Sequence, residues 1–375
     1  MSALPLLPSS SSDHKKWGNL PGAGLGYAAT RAILAHDGVT LVVTPDTAHA
    51  EQLRNEIDFF SGGQIEVLQF PDWETLPYDN FSPHEDIINQ RLTTLSHMRH
   101  LTAGVVILPI ATLLHRLPPT AFVAAHALVL AVGQQLIPEQ FRAALQSSGY
   151  RNVSTVFEHG EYAIRGAVMD IFPMGSKVPV RIDLFDTEIE TLRTFDPDTQ
   201  RSLTALTQLE ILPAREFILS EPSIAGFRAR FREQFDLPTK DSQTYQDVSN
   251  GIAPAGIEYF LPLFYDQLAT MFDYLPDDAL VITHADIESA GDYFWDEIQE
   301  RYENRRHDIR NPILPPAQVF IKTDELFGLF KRFRRLSLSR APLPEKVGSA
   351  NLKVDPPQEY PIDSRLQNPL NALDC

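Results

Sequence analysis

The sequence predicts an α/β protein in which a parallel-sheet domain is interrupted by a small mixed α/β domain with an antiparallel sheet. In the first third of the chain, short apolar runs alternate with patterns of helical period, an order that builds parallel sheets. Between residues 167 and 195, alternating runs are separated only by tight turns, which is typical of antiparallel strands. The length of 375 residues suits two or three such domains.

The pattern of the first part of the chain predicts the order strand, helix, strand, helix, strand. The first run, 39–43, is almost entirely apolar and β-branched, as expected for a strand covered on both faces. The helix after it carries apolar residues at three- and four-residue spacing and stops at Gly62-Gly63. The elements are expected at 39–43, 48–60, 65–68, 86–98 and 105–108.

Beyond residue 126 the pattern changes to one helix followed by closely spaced strands, and after Pro213 it becomes mixed again. The predicted helices and strands of these parts are 138–148, 167–172, 178–185, 189–195, 224–235, 279–283 and 286–305. Residues 341–375 are rich in Pro and polar side chains, without periodicity. We therefore predict four segments: 1–126 and 213–348 as the two parts of the larger domain, 127–212 as the small domain, and 349–375 as a linker to missing downstream domains.

Composition excludes several functional classes. With 32 Lys and Arg against 49 Asp and Glu, the net charge is −17, which opposes a general nucleic-acid coat. The single cysteine is Cys375, so no disulfide, zinc cluster or catalytic thiol is expected. No apolar run approaches the roughly 20 residues of a membrane span. A cytoplasmic protein with no membrane association is the expectation.

A glycine pattern near the start resembles a phosphate-binding loop. Gly22, Gly24 and Gly26 have the spacing, but Tyr27 and Ala28 stand where the loop needs a Lys and then a Ser or Thr. A tight turn that enters a helix explains the glycines equally well. The prediction is a non-functional loop, with no nucleotide hydrolysis and no cofactor in this chain.

The histidines give little support for catalysis or metal binding. His97 and His100 share a helix face, but no third ligand is near in sequence. His159, between Glu158 and Glu161, could act as an acid or base, and a turn before a strand explains it as well. No catalytic residue and no metal site are predicted.

One surface of the small domain has the composition of a protein interface. In the strand at 180–185, alternation places Arg181, Asp183 and Phe185 together on the open face. Arg165, in the neighbouring run, extends this patch. An exposed Phe beside Arg is typical of interface hot spots. In the alternative, Phe185 lies under a loop and Arg181 pairs with Asp183 across strands.

Residues 301–340 reverse the overall charge, with ten Lys or Arg against four acids. A strip that contacts DNA phosphates is one interpretation. A solvated helix face, or a surface complementary to the acidic remainder, is the other, and the net charge of the chain favours it.

Three blocks in order carry a resemblance to a known family. They are the acidic segment from Asp72 to Asp79 with Ser82-Pro83-His84, the run from Glu158 through Arg165-Gly166 to Pro173, and Pro254-Ala255-Gly256-Ile257-Glu258-Tyr259. From about residue 20 to 350, the sequence resembles the UvrB-like module of bacterial transcription-repair coupling factors. The fold implied is a degenerate P-loop-NTPase-like domain interrupted by a small domain.

The resemblance implies that the small domain binds UvrA, the damage-recognition ATPase of nucleotide excision repair. The family's two arginines and phenylalanine fall on Arg165, Arg181 and Phe185, and Asp183 completes the predicted contact set. ATP with Mg²⁺, DNA translocation and RNA polymerase binding belong to downstream domains, and the C-terminal domain of the intact factor covers the UvrA-binding face. A cryptic nucleotide-binding or direct DNA-binding domain is the alternative.

Overall fold

The computed structural model describes residues 5–308 and 311–355. In chain order its strands are β1 (His14–Gly18), β2 (Val39–Thr44), β3 (Val67–Gln69), β4 (Gly104–Pro109), β5 (Leu128–Ala131), β6 (Arg151–Asn152), β7 (Glu161–Arg165), β8 (Val168–Ile171), β9 (Val180–Phe185), β10 (Glu188–Phe195), β11 (Ser202–Leu206), β12 (Gln208–Ile211), β13 (Leu280–His284), β14 (Arg334–Leu338) and β15 (Ser349–Asn351).

The helices are α1 (Gly24–His36), α2 (Thr47–Ser61), α3 (Glu85–Met98), α4 (Ile110–Leu113), α5 (Phe122–His126), α6 (Pro138–Ser147), α7 (Glu221–Gln234), α8 (Gln243–Ser249), α9 (Ile287–Arg305), α10 (Pro316–Val319) and α11 (Thr323–Phe330). Short 3₁₀ turns occur at Thr239–Asp241, Ile257–Leu263 and Met271–Tyr274. Each helix in the described ranges is too short or too polar to cross a lipid bilayer.

Seven strands form one parallel sheet in the order β15-β1-β14-β13-β2-β4-β3. Strands β2 and β4 are buried along their whole length, as their continuous apolar runs predict. Helices α1 and α2 cover one face of the sheet, and α3, α9 and α11 contribute to the core on the other face. Strand β1 was not predicted, because His-Lys-Lys-Trp-Gly lacks an apolar run.

The small domain is built on a six-stranded sheet with the order β11-β10-β9-β8-β7-β6. Its pairs are antiparallel except for β6 with β7, so the predicted antiparallel sheet is confirmed with a short parallel edge. The chain enters through β5 and leaves through β12, and these two strands pair antiparallel from Leu128–Ile211 to Ala131–Gln208. Entry and exit therefore lie side by side, which lets the small domain interrupt the larger one.

A buried ion pair joins the larger domain to the segment that leaves the small domain. Arg91 of α3 donates from Nε to Glu216 Oε1 over 2.6 Å, and both side chains are almost fully buried. The Arg91 guanidinium also lies 4.2 Å from the ring centre of Phe70 and 5.3 Å from that of Trp73. Because the pair is desolvated and packed on aromatic rings, its geometry fixes how the two chain segments meet.

Two segments without periodicity in the sequence have defined structure. The 3₁₀ turn Ile257–Leu263 packs in an aromatic core with Trp73, Tyr78 and Phe320, whereas Phe272 packs with Phe330 and Phe333. The first residues of the predicted linker are structured, since Ser349–Asn351 forms a strand that pairs with β1. Short polar strands carry no periodic signal, and this one is fixed by the Asn351 amide, which pairs with both backbone groups of Leu343. Residues 356–375, with Cys375, lie outside the described residues.

Candidate protein interface

Three neighbouring strands of the small domain bring two arginines to one carboxylate. Arg165 ends β7, Asp170 lies in β8 and Arg181 lies in β9. In the β8–β9 register, Asp170 is directly opposite Arg181. Residues opposite each other in an antiparallel pair point to the same face, so the register alone places these two side chains together.

Asp170 holds both guanidinium groups. Arg181 donates from Nε to Asp170 Oδ1 over 2.7 Å and from Nη2 to Oδ2 over 2.9 Å, a bidentate pairing that fixes the plane of the guanidinium. Arg165 Nη2 donates to Asp170 Oδ2 from the other side. The Asp170 side chain is completely buried, whereas 48% of the Arg165 side chain and 21% of the Arg181 side chain remain exposed.

Further contacts keep the arginines in place. Arg165 Nη1 donates to the Ser154 carbonyl over 3.2 Å. Arg181 lies over the ring of Phe195, with 4.9 Å between the guanidinium carbon and the ring centre. The hydrogen bonds to Asp170 raise the pKa of Arg181 above its ordinary value, so its charge is permanent. Both side chains therefore present ordered positive charge at the surface.

The face predicted to be open is partly covered. Phe195 packs with Val156, Ala163 and Phe172 in a small apolar cluster on this side of the sheet. The loop that contains Ser154 and Val156 follows the short edge strand β6, whose two residues give no detectable pattern in the sequence. The cluster shields Asp170 from water and leaves the arginine heads at its rim.

Asp183 does not pair with Arg181, so the alternative in which these two residues form a cross-strand pair is wrong. The Asp183 carboxylate instead accepts a hydrogen bond from the Thr191 hydroxyl over 2.6 Å, and these two residues are opposite each other in the β9–β10 register. Asp183 remains on the same face as Arg181, as the alternation predicts. It contributes a negative charge between the arginines and the end of the strand.

Phe185 is exposed rather than covered by a loop. It ends β9 beside the hairpin turn at Asp186, whose φ of 56° is left-handed, and 74% of its surface is accessible. It lies four positions along the strand from Arg181, about 13 Å at the usual rise. The candidate surface therefore combines an apolar side chain at the hairpin with an ordered cationic group further along the strand.

Sequence reasoning missed Asp170 as a member of this surface. Its run alternates Val168, Asp170 and Phe172, so an acid on the strand next to Arg181 was visible. Which residues face each other, however, depends on the strand register, which a single sequence does not define. The set Arg165, Arg181, Asp183 and Phe185 stays a prediction as far as contact with a partner is concerned.

The glycine loop is packed against other parts of the chain. A Cβ on Gly26 would lie 2.2 Å from Glu56 Oε2, and one on Gly24 would lie 3.0 Å from Val354. Gly22 has a φ of 57°, which suits a turn into α1. The Glu56 carboxylate repels a phosphate at this position, and Tyr27 and Ala28 supply neither of the missing functional groups. These residues do not fit a nucleotide.

The basic residues of 301–340 are dispersed, and several are engaged within the chain. Arg301 binds Asp79 over 2.6 Å, Arg305 donates to the Tyr78 carbonyl, and Arg332 lies 3.8 Å from Asp273. Arg301 and Arg305 thus hold the acidic segment that follows β3. Arg310 lies outside the described residues.

His159 lies at the contact between the two domains, and each of its ring nitrogens has a hydrogen-bond partner. Its Nδ1 lies 3.0 Å from Asp86 Oδ1, and its Nε2 lies 2.9 Å from the Ser176 carbonyl oxygen. The ring also packs against that of Phe172 in a tilted arrangement, with 4.1 Å between the ring centres. Among residues 5–308 and 311–355, no group of three or more His, Cys, Asp or Glu side chains is arranged to hold a metal ion.

Comparison with known proteins agrees with this architecture. Residues 128–217 match the model of the UvrB interaction domain. The chain is 41% identical to the transcription-repair-coupling factor of Haemophilus influenzae over 371 residues and 40% identical to that of Escherichia coli over 368, which is 98% of this chain and 32% of each relative. The same factor of Myxococcus xanthus is 31% identical over 84% of the chain and 28% of its own length.

The chain therefore spans about a third of the length of the curated relatives it matches. The matched small domain contains β5 to β12 and the whole arginine-carboxylate group. The chain belongs to the transcription-repair-coupling factor family, and its residues 128–217 are a UvrB interaction domain.

Proposed function

We propose that this chain recruits UvrA through the surface formed by Arg165, Arg181, Asp183 and Phe185, and so links stalled RNA polymerase to nucleotide excision repair. The observation that carries the proposal is the exposed Phe185 on the same strand as an arginine whose position is fixed by a buried carboxylate. Support comes from the matched UvrB interaction domain and from the relatives' names.

The charge of the surface indicates the chemistry of its partner. Two partly exposed guanidinium groups surround one fully buried carboxylate at Asp170, and Asp183 adds one negative charge further along β9, within a chain whose net charge is −17. Such a group pairs with carboxylates on the partner. Because Asp170 already orders the guanidiniums, little side-chain entropy is lost on binding.

Phe185 supplies the apolar part of the contact. Burial of a side chain that is 74% exposed in the free chain contributes favourable free energy and excludes water from the charged pairs nearby. The hairpin turn at Asp186 presents the ring at the end of the sheet. The partner should therefore carry an apolar pocket about 13 Å from an acidic patch.

In this proposal the rest of the chain is a scaffold without catalytic residues. ATP hydrolysis with Mg²⁺, DNA translocation and RNA polymerase binding are assigned, through the resemblance, to the remaining two thirds of the relatives' length. The C-terminal domain is proposed to cover the UvrA-binding surface. A protein of the relatives' full length should then bind UvrA more weakly than this chain does, and equal affinity would contradict the covering.

Calorimetry of UvrA with this chain tests the proposal. Phe185→Ala should weaken binding by about 2 kcal/mol or more, as hot-spot truncations do, without lowering the melting temperature. Phe59→Ala is the matched control, because Phe59 is also an exposed Phe, 79% accessible, but lies on α2 of the larger domain. Undiminished UvrA binding by folded Phe185→Ala would remove the proposal.

A further inference from the structure

One face of the parallel sheet is polar where three strands meet. Period-two alternation places His14 and Lys16 of β1, Arg335 and Ser337 of β14 and Thr283 of β13 on the same side. The opposite side carries the apolar residues Trp17, Leu336, Leu338 and Ile282, which belong to the core. Parallel sheets are normally apolar on both faces. A polar stripe across three such strands therefore needs a separate explanation.

A cavity of about 350 Å³ lies over this stripe. Its wall is completed by Phe327, Phe330 and Lys331 near the end of α11 and by Ile287 and Glu288 at the start of α9. We call it the anion cavity. Its volume is within the range of small-ligand sites, and Glu288 is the one carboxylate among the described residues that line it.

The cations of the anion cavity have no ionic partner in the part of the chain that the structure describes. Lys16, Lys331 and Arg335 form no ion pair with any carboxylate in residues 5–308 and 311–355. Within these same ranges, Arg335 Nε is buried without a hydrogen-bond acceptor. A buried guanidinium N–H without an acceptor is costly, so an oxygen from a ligand at this position would restore a missing interaction.

The pKa of His14 is affected by the positive charges of the cavity. Burial, followed by the charges of Arg335 and Lys16, lowers its pKa to about 4. Its Nε2 lies 2.8 Å from the Ser337 hydroxyl, which in turn lies 2.9 Å from the Thr283 hydroxyl. The three side chains form a neutral hydrogen-bonded row between the cations, and a bound anion would offset the positive charge around them.

We propose that the anion cavity binds a small phosphate-type oxyanion, held by Lys16, Lys331 and Arg335. Two ammonium groups and a forked guanidinium supply more donors than the two oxygens of a carboxylate can accept, and they match the several oxygens of a phosphate group. The cavity is on the sheet face opposite α1, so it is separate from the glycine loop and from the small domain.

Calorimetric titration of the chain with pyrophosphate tests this assignment. We expect saturable 1:1 binding at low ionic strength, with the affinity reduced about tenfold or more in Lys16→Gln and in Arg335→Gln. Lys15→Gln is the matched control, because Lys15 is adjacent in sequence, is on the opposite side of β1 and pairs with Asp13 over 3.0 Å. The affinity of Lys15→Gln for pyrophosphate should stay within about twofold of that of the unchanged chain.

Three outcomes would overturn the proposal. They are the absence of saturable binding at roughly 10 mM pyrophosphate, an equal loss in Lys15→Gln, and tighter binding of the dicarboxylate malonate than of pyrophosphate. Lys16 is exposed, so Lys16→Gln should fold even if Arg335→Gln does not. The ¹H-¹⁵N resonances of the His14 ring provide a second readout, since they should shift on titration at constant pH in the unchanged chain and in Lys15→Gln.

Discussion

Asp170 and Arg181 face each other across β8 and β9 and form two hydrogen bonds of 2.7 and 2.9 Å, with the carboxylate completely buried. The same carboxylate accepts from Arg165. A buried acid thus orders two partly exposed arginines on the surface that we propose for UvrA. The acid itself does not need to touch the partner, so its role is to position the residues that do.

Replacement of this acid should weaken both folding and binding. Asp170→Asn removes the charge that holds two guanidiniums, so we expect a loss of about 2 to 4 kcal/mol in the free energy of unfolding. UvrA affinity should fall about tenfold as the arginines become disordered. Urea denaturation and calorimetry measure the two effects. Asp196→Asn, at an exposed turn bonded to Thr199, is the control, and wild-type values for Asp170→Asn would refute the positioning role.

The buried Arg91–Glu216 pair should behave as a unit. Glu216→Gln or Arg91→Met alone leaves one partner without its counter-charge and should cost about 3 to 5 kcal/mol. The double variant should cost clearly less than the sum, which a urea-denaturation cycle measures. Arg116→Gln is the comparison, because its pair with Glu325 is looser, at 3.6 Å, and more exposed. Strict additivity in the cycle would show that the two side chains do not interact.

Stability should decrease in mild acid because of His115. Burial lowers the pKa of His115 to about 3, and its ring packs against Trp73 and Phe320. The unfolded chain takes up this proton near pH 6.5, so the stabilisation is complete above that pH and is lost as the pH falls towards 3. The free energy of unfolding should be lower at pH 5 than at pH 7.

Substitutions test whether His115 or another histidine causes the loss of stability in mild acid. His115→Leu should lower stability at both pH values but reduce the difference between them, measured by urea denaturation. His97→Gln, on an exposed position of α3, should keep the full difference. If His115→Leu retains the full difference as well, the acid sensitivity belongs to other groups, such as His14, whose pKa is also lowered.

The sequence predicts the strands and helices that carry strong patterns. The continuous apolar run of β2 and the alternation of β9 gave both elements and the buried face of β9. Strand β1, with two lysines, and β15, with three small or polar residues, have no such pattern. They form because neighbouring strands pair with them, which is a tertiary effect.

Only part of the candidate interface is predictable from the sequence, because only some of its residues lie in a strand with a strong pattern. Alternation placed Arg181, Asp183 and Phe185 on one face, and this is confirmed by their exposure and partners. The central role of Asp170 depends on the register between β8 and β9. Register is set by the turns and by the core as a whole, so the sequence of one strand does not specify it.

Hydroxyl-radical footprinting of the aromatic side chains, with and without UvrA, tests the proposed interface most directly. Phe185, Phe59 and Phe81 are all exposed, with 74%, 79% and 70% of their surfaces accessible, so all three should be labelled in the free chain. With UvrA bound, the account predicts strong protection of Phe185, while Phe59 and Phe81 remain labelled. Unchanged labelling of Phe185 in a saturated complex would contradict it.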